Sequence, residues 1–156
     1  MAELRIFGGS IVLPSSSIGD EQVKTPNSAE NAIDADKLQH LYKPGTNFDL
    51  AIGGTPATRE EIVFTATTAG VIRAVKALLN DTGTTGSVTV DCKLNGTTVL
   101  SATISISNSD SDRTVKEGTL STTAFVAGDV LSLSLTQSAS DGSGPFAWIE
   151  LEEDAG

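Results

Sequence analysis

Residues 87–107, SVTVDCKLNGTTVLSATISIS, alternate apolar and polar side chains on both sides of Asn95-Gly96. Val88, Val90, Cys92 and Leu94 fall at every second position before that dipeptide, and Leu100, Ala102, Ile104 and Ile106 do so after it. A period of two gives each strand one dry and one wet face, and Asn-Gly tolerates the positive φ that a type I′ turn demands. The segment predicts a β-hairpin. Cys92 reads within it as a small core hydrophobe, because no cation adjoins it in sequence to activate the thiol beyond Lys93 on the wet face.

The pattern recurs along the chain. Residues 130–136 set Leu131, Leu133 and Leu135 against Ser132, Ser134 and Thr136, entered through the turn signal Ala127-Gly128-Asp129. Residues 146–152 set Ala147, Ile149 and Leu151 opposite Phe146, Trp148, Glu150 and Glu152. Upstream, residues 61–67 and 71–79 are separated by Thr68-Ala69-Gly70. The run VIRAVKALL has helix-forming Ala, Leu, Arg and Lys, yet Val71, Ile72 and Val75 favour a strand beside other strands. Residues 116–125 add a weaker strand around Gly118. About seven or eight short strands at even spacing predict an all-β fold, an antiparallel β-sandwich of jelly-roll-like type over 58–153, with 154–156 as a tail. Periodicity leaves open whether the strand order is jelly-roll or immunoglobulin-like.

Residues 1–57 read differently. They hold four of the five prolines, a Ser15-Ser16-Ser17 tract and only broken apolar runs, which predicts a partly extended N-terminal arm. Asn27 three residues ahead of Glu30 resembles a capping box, and Ile33, Leu38 and Leu41 could line a short helix over 28–41. Too little apolar surface lies here for independent folding, so the arm must be ordered on the body or on other subunits.

Charge and cysteine content remove several functions. The chain has 20 Asp+Glu against 10 Lys+Arg, a net charge of −10, and no clustered basic stripe, so direct nucleic-acid binding is not expected. One cysteine closes no intrachain disulfide, and His40, the single histidine, cannot complete a Cys/His zinc site. No run approaches the roughly 20 apolar residues of a membrane span, and the acidic start lacks the charge pattern of a signal peptide, so no membrane role and a cytosolic origin are expected. With 19 Thr and 17 Ser, much of the surface is neutral hydroxyl.

No phosphate-binding glycine loop, nucleophile elbow, zinc-protease helix or EF-hand spacing is present, and His40 lacks a nucleophile in recognisable context. An enzyme is not expected, and no cofactor or metal is called for. Asp91, Glu117, Asp129, Glu150 and Glu152 lie in or beside strands, where a glycosidase pair is conceivable but a solvated strand face is the ordinary explanation. Asp110, Asp112, Asp129, Asp141 and the Glu152-Glu153-Asp154 run offer oxygens at loop tips, yet no loop gathers the six to eight that Ca²⁺ takes. Aromatic residues are 4% of the chain, so Trp148, Tyr42 and Phe146 are the obvious candidates for a sugar platform; Trp148 reads first as a core cap or subunit contact.

Several segments, AENAIDADKLQHLY (29–42), TAGVIRAVKALL (68–79), the 87–106 hairpin, FVAGDVLSLSLT (125–136) and GSGPFAWIELEE (142–153), together resemble small jelly-roll virion proteins of phages and prophages, of the capsid decoration (cement) or head-fibre type. The resemblance implies a non-enzymatic homotrimer, made in the host cytoplasm, that sits on the outer surface of the virion and binds the major capsid protein across capsomers. Its arm would supply the contact through Ile6, Phe7, Ile11, Val12, Leu13, Ile33, Leu38 and Leu41. The alternative is a glycan- or receptor-binding module of a fibre or tail, with Trp148 or Tyr42 stacking on sugar.

Overall fold

The computed structural model describes residues 5–7, 10–12, 40–48 and 59–153. Among them there are thirteen strands and no helix. Two strands, β1 (Arg5–Phe7) and β2 (Ser10–Val12), pair antiparallel with Ile6 opposite Ile11, within a compact unit spanning Met1–Leu38. A second unit, Gln39–Gly156, holds the other eleven. These are β3 (His40–Tyr42), β4 (Gly45–Asn47), β5 (Arg59–Thr65), β6 (Gly70–Asp81), β7 (Ser87–Leu94), β8 (Thr97–Thr98), β9 (Ile104–Ser107), β10 (Lys116–Glu117), β11 (Ala124–Phe125), β12 (Val130–Ser138) and β13 (Ser143–Glu153).

One sheet of the second unit runs β10/β11, β6, β13, β3/β4, and the other runs β5, β12, β7, β8/β9. All pairings are antiparallel. Each slashed pair fills one position, so eleven strands make eight positions, four per sheet. Followed along the chain, the positions fall in the first sheet, second, first, second, second, first, second and first. That is the strand order of a jelly roll, and it resolves the order that periodicity leaves open.

The first position of this fold lies at 40–47, upstream of the body expected over 58–153. Most of the expected helix over 28–41 lies outside the described residues, but its last two residues are not helical. His40 and Leu41 belong to β3, opposite Glu153 and Glu152. The open edge of β13 offers their backbone a ladder, and Pro44 biases the residue before it toward extended backbone.

The core is built from the inward side chains of both sheets: Ile72, Val75, Ala77 and Leu79 of β6 and Ala147, Ile149 and Leu151 of β13 face Val88, Val90 and Cys92 of β7 and Leu131, Leu133 and Leu135 of β12. Alternation in β7, β12 and β13 thus sorts their faces as the sequence predicts. Burial pushes the Cys92 thiol up to about 12, in keeping with a core hydrophobe.

The hairpin turn is as expected, with φ of 49° at Asn95 and 84° at Gly96. Its return strand is not continuous. Lys93 faces Thr98 and Val90 faces Ile104, so the two residues of β7 between these pairs oppose five on the return, and 99–103 leave the ladder. Leu100 there bridges to Leu120, the Ser101 amide donates to the Thr119 carbonyl at 2.9 Å, and the Ser121 amide donates to the Val99 carbonyl at 2.8 Å. Consequently Val99 and Leu100 are both buried and Ala102 is exposed, a departure from strict alternation. The weak strand over 116–125 likewise divides into β10 and β11, both on β6.

Candidate functional site

The outward side chains of β13 run Phe146, Trp148, Glu150, because alternate residues share a face. Cross-strand register sets their neighbours. Phe146 lies between Leu78 of β6 and Asn47 of β4, while Trp148 lies between Lys76 and Gly45, with Glu117 beyond Lys76. The two rings lean on each other with centroids 5.6 Å apart and planes 30° apart, and Phe146 remains 39% exposed. Trp148 is therefore on the outer face of its sheet and does not cap the core. Lys43, Leu78, Phe146 and Trp148 line a shallow open groove of about 420 Å³.

Gly45 makes room for this shelf. A Cβ there would stand 2.9 Å from the Trp148 Cβ and 3.1 Å from the Phe146 Cζ, so a side chain would collide with both aromatic residues. The missing side chain lets β4 lie beside β13 without covering the rings.

Beside the rings, three donors converge on one oxygen. Glu150 Oε1 accepts from Lys76 Nζ at 3.1 Å, from Lys43 Nζ at 3.2 Å and from Trp148 Nε1 at 3.5 Å. Among the described residues its Oε2 has no partner. The bonds from Lys76 and then Lys43 hold the Glu150 carboxyl below the ordinary range, and the Glu150 bond raises Lys76. Lys76 also faces Glu117 at 3.6 Å. Lys43, with its side chain 64% exposed, is the member most open to solvent.

The residues expected to form a partner contact fall only partly within the described residues. Ile6 and Phe7 lie in β1, Ile11 and Val12 in β2, and Leu13, Ile33 and Leu38 lie outside the described residues. Leu41 is in β3 and 63% exposed. Tyr42, offered as a sugar platform, instead leans on Phe64 with centroids 5.9 Å apart and bonds to the Glu153 carboxylate. It sits opposite the buried Leu151, away from the Trp148 row.

The loop-tip acids staple the backbone. Asp141 accepts from the Thr84 amide and hydroxyl at 2.8 and 2.7 Å and from the Thr85 amide at 2.8 Å. Asp112 holds the Thr82 amide and hydroxyl, Asp110 the Ser107 amide and Lys116, and Asp129 the Val126 amide and Asn95. No group of three or more His, Cys, Asp or Glu among the described residues could hold a metal ion. Glu150 and Asp129, two of the five acids considered for glycosidic chemistry, are both held below the ordinary range, opposite to what a general acid requires. Bonds from the Val126 amide and then Asn95 do this for Asp129.

Sequence reasoning names Phe146 and Trp148 but misses Lys43, Gly45, Lys76 and Leu78. The Lys43-Pro44-Gly45 stretch reads as part of an arm, and the ladder that carries it to Trp148 spans about a hundred residues of chain. Lys76 and Leu78 do alternate with Val75, Ala77 and Leu79, which marks them as outward once VIRAVKALL is read as a strand.

No family model matches the chain, and no curated protein matches it. Among solved structures it is similar to a family 35 carbohydrate-binding module from Clostridium thermocellum, at 17% identity over 75% of this chain and 92% of that one, with a TM-score of 0.38. A carbohydrate-binding module, CBM36, solved with calcium and xylotriose, matches at 14% identity over 73% and 98% of the two chains, with a TM-score of 0.36. The EclA C-terminal domain, a sugar-binding protein, matches at 14% identity over 90% and 95%, with a TM-score of 0.33.

Proposed function

We propose that this chain is a non-catalytic carbohydrate-binding protein that takes a sugar ring on the Phe146–Trp148 shelf. The observation that carries this reading is the pair of outward aromatic rings set in an open groove beside Lys43 and Glu150. The C–H face of a pyranose is apolar while its rim bears hydroxyls, so it complements a flat ring flanked by a donor and an acceptor. Rings on the outer side of a sheet do little for the core, and here Gly45 keeps a side chain away from them.

Calorimetry of the purified chain against a panel of soluble polysaccharides tests this. At least one glycan binds the native chain, and Trp148→Ala weakens it roughly tenfold or more, a loss of about 1.4 kcal/mol. An unchanged glycan profile in Trp148→Ala overturns the reading. So does a drop in solution mass on the same substitution, which assigns the shelf to self-association.

A second reading, a homotrimeric capsid decoration protein on the outside of a phage head, is favoured by one observation. The β1–β2 hairpin has three residues per strand and lies in the compact unit Met1–Leu38. A two-stranded hairpin is marginal in water by itself and gains stability from what it packs against, which on this reading includes the major capsid protein. Because β3 and β4 are sheet strands, the test is removal of residues 1–38 and not of more. The truncated chain keeps its fold and loses co-sedimentation with expanded shells; full decoration without those residues contradicts this reading.

A further inference from the structure

Resting on the carbohydrate reading, we infer that the shelf selects neutral sugars and rejects acidic ones, with Glu150 Oε2 accepting a ligand hydroxyl and Lys43 donating to another. Three donors fix Oε1, which aims the carboxylate and leaves Oε2 without a partner among the described residues. A carboxylate accepts readily from a sugar hydroxyl, and the bond is charge-assisted. The carboxylate of a uronic or sialic acid brought to the same point meets Glu150 instead, with like charges opposed.

The lysines do not reverse this. Lys43 and Lys76 are both committed to Glu150, and Lys76 also faces Glu117, so two cations and two carboxylates surround the rings. An anionic sugar that pairs with either lysine shares it with Glu150 and brings like charges together. It must also approach a chain of net charge −10, whose field opposes polyanions. A neutral glycan breaks no ion pair, uses the lone pairs of Oε2 and the exposed ammonium of Lys43, and stacks on Trp148.

Binding of the full chain to neutral polysaccharides and to polyuronates of similar length, each at low and high salt, tests the inference. The expected result is binding to one or more neutral glycans with affinity that changes less than about twofold with salt, as interactions without net ligand charge are little screened. Glu150→Gln weakens that binding roughly tenfold, and Lys43→Gln, which leaves the Lys76–Glu150 pair in place, weakens it about threefold. Thermal unfolding of both variants separates a lost contact from a lost fold. Preferential, salt-sensitive binding of polyuronates overturns the selectivity while leaving the shelf as the site. Binding of neither class overturns the carbohydrate reading itself.

Discussion

Gly45 stands directly opposite Trp148 in the β4–β13 ladder, and a Cβ on it would lie 2.7 Å from the Ala147 carbonyl oxygen and 2.9 Å from the Trp148 Cβ. The carbonyl belongs to an inner strand of its sheet and cannot retreat as a flexible side chain would. Gly45→Ala is therefore expected to cost about 1–3 kcal/mol through overpacking and to move the aromatic shelf. Thermal unfolding and glycan affinity should fall together; a variant with native stability and native affinity contradicts this account of the glycine.

Core and surface positions should separate cleanly. Leu133, fully buried at the centre of β12, is expected to lose about 2–5 kcal/mol as Leu133→Ala, from lost transfer energy plus a cavity. Ile62 on edge strand β5 is 71% exposed, and Ile62→Ala should change stability by no more than about 0.5 kcal/mol. Urea unfolding of the pair checks both; equal losses would mean that Ile62 is covered in solution.

These two residues also mark how far the sequence carries. The alternation through Leu131, Leu133 and Leu135 reports local backbone and one buried face, and both survive in the structure. The strands His40–Tyr42 and Gly45–Asn47 are invisible to it, since three residues are too few for a period and their stabilisation comes from pairing with distant β13. The break at 99–103 has the same cause: contacts with Thr119, Leu120 and Ser121 outweigh the alternation that would bury Ala102. Trp148 and Phe146 stand out by rarity among few aromatics, but the convergence of Lys43 and Lys76 on Glu150 depends on registers that no local pattern contains.

The end of the sandwich near Thr84 should be acid-sensitive. Asp141 is held well below its ordinary value of 3.8 by the Thr84 hydroxyl and then the Thr85 and Thr84 amides, and Asp112 is lowered by the Thr82 amide and then its hydroxyl. A depressed carboxyl stabilises the fold fully above the unfolded-state value and loses that contribution as pH falls toward the folded-state value. Stability should thus decline below about pH 4. Asp141→Asn should be less stable than the native chain at neutral pH, with the gap narrowing on acidification. Urea midpoints measured across that range check this, and a gap that widens toward low pH contradicts it.

Cys92 should be silent in the folded chain. Burial pushes its thiol up to about 12, and the nucleophile in thiol chemistry is the thiolate. A disulfide reagent at neutral pH is expected to label it only after denaturation. Fast stoichiometric labelling under native conditions would place the thiol outside the core.

Trp148 is the single tryptophan of the chain, so its fluorescence reports directly on the shelf. The most direct test of carbohydrate binding is to follow that emission while neutral oligosaccharides and polysaccharides are added. The account predicts a saturable blue shift with at least one of them, as a sugar ring displaces water from the indole, and a weaker response in Glu150→Gln. Emission that stays constant across the whole glycan panel would contradict it.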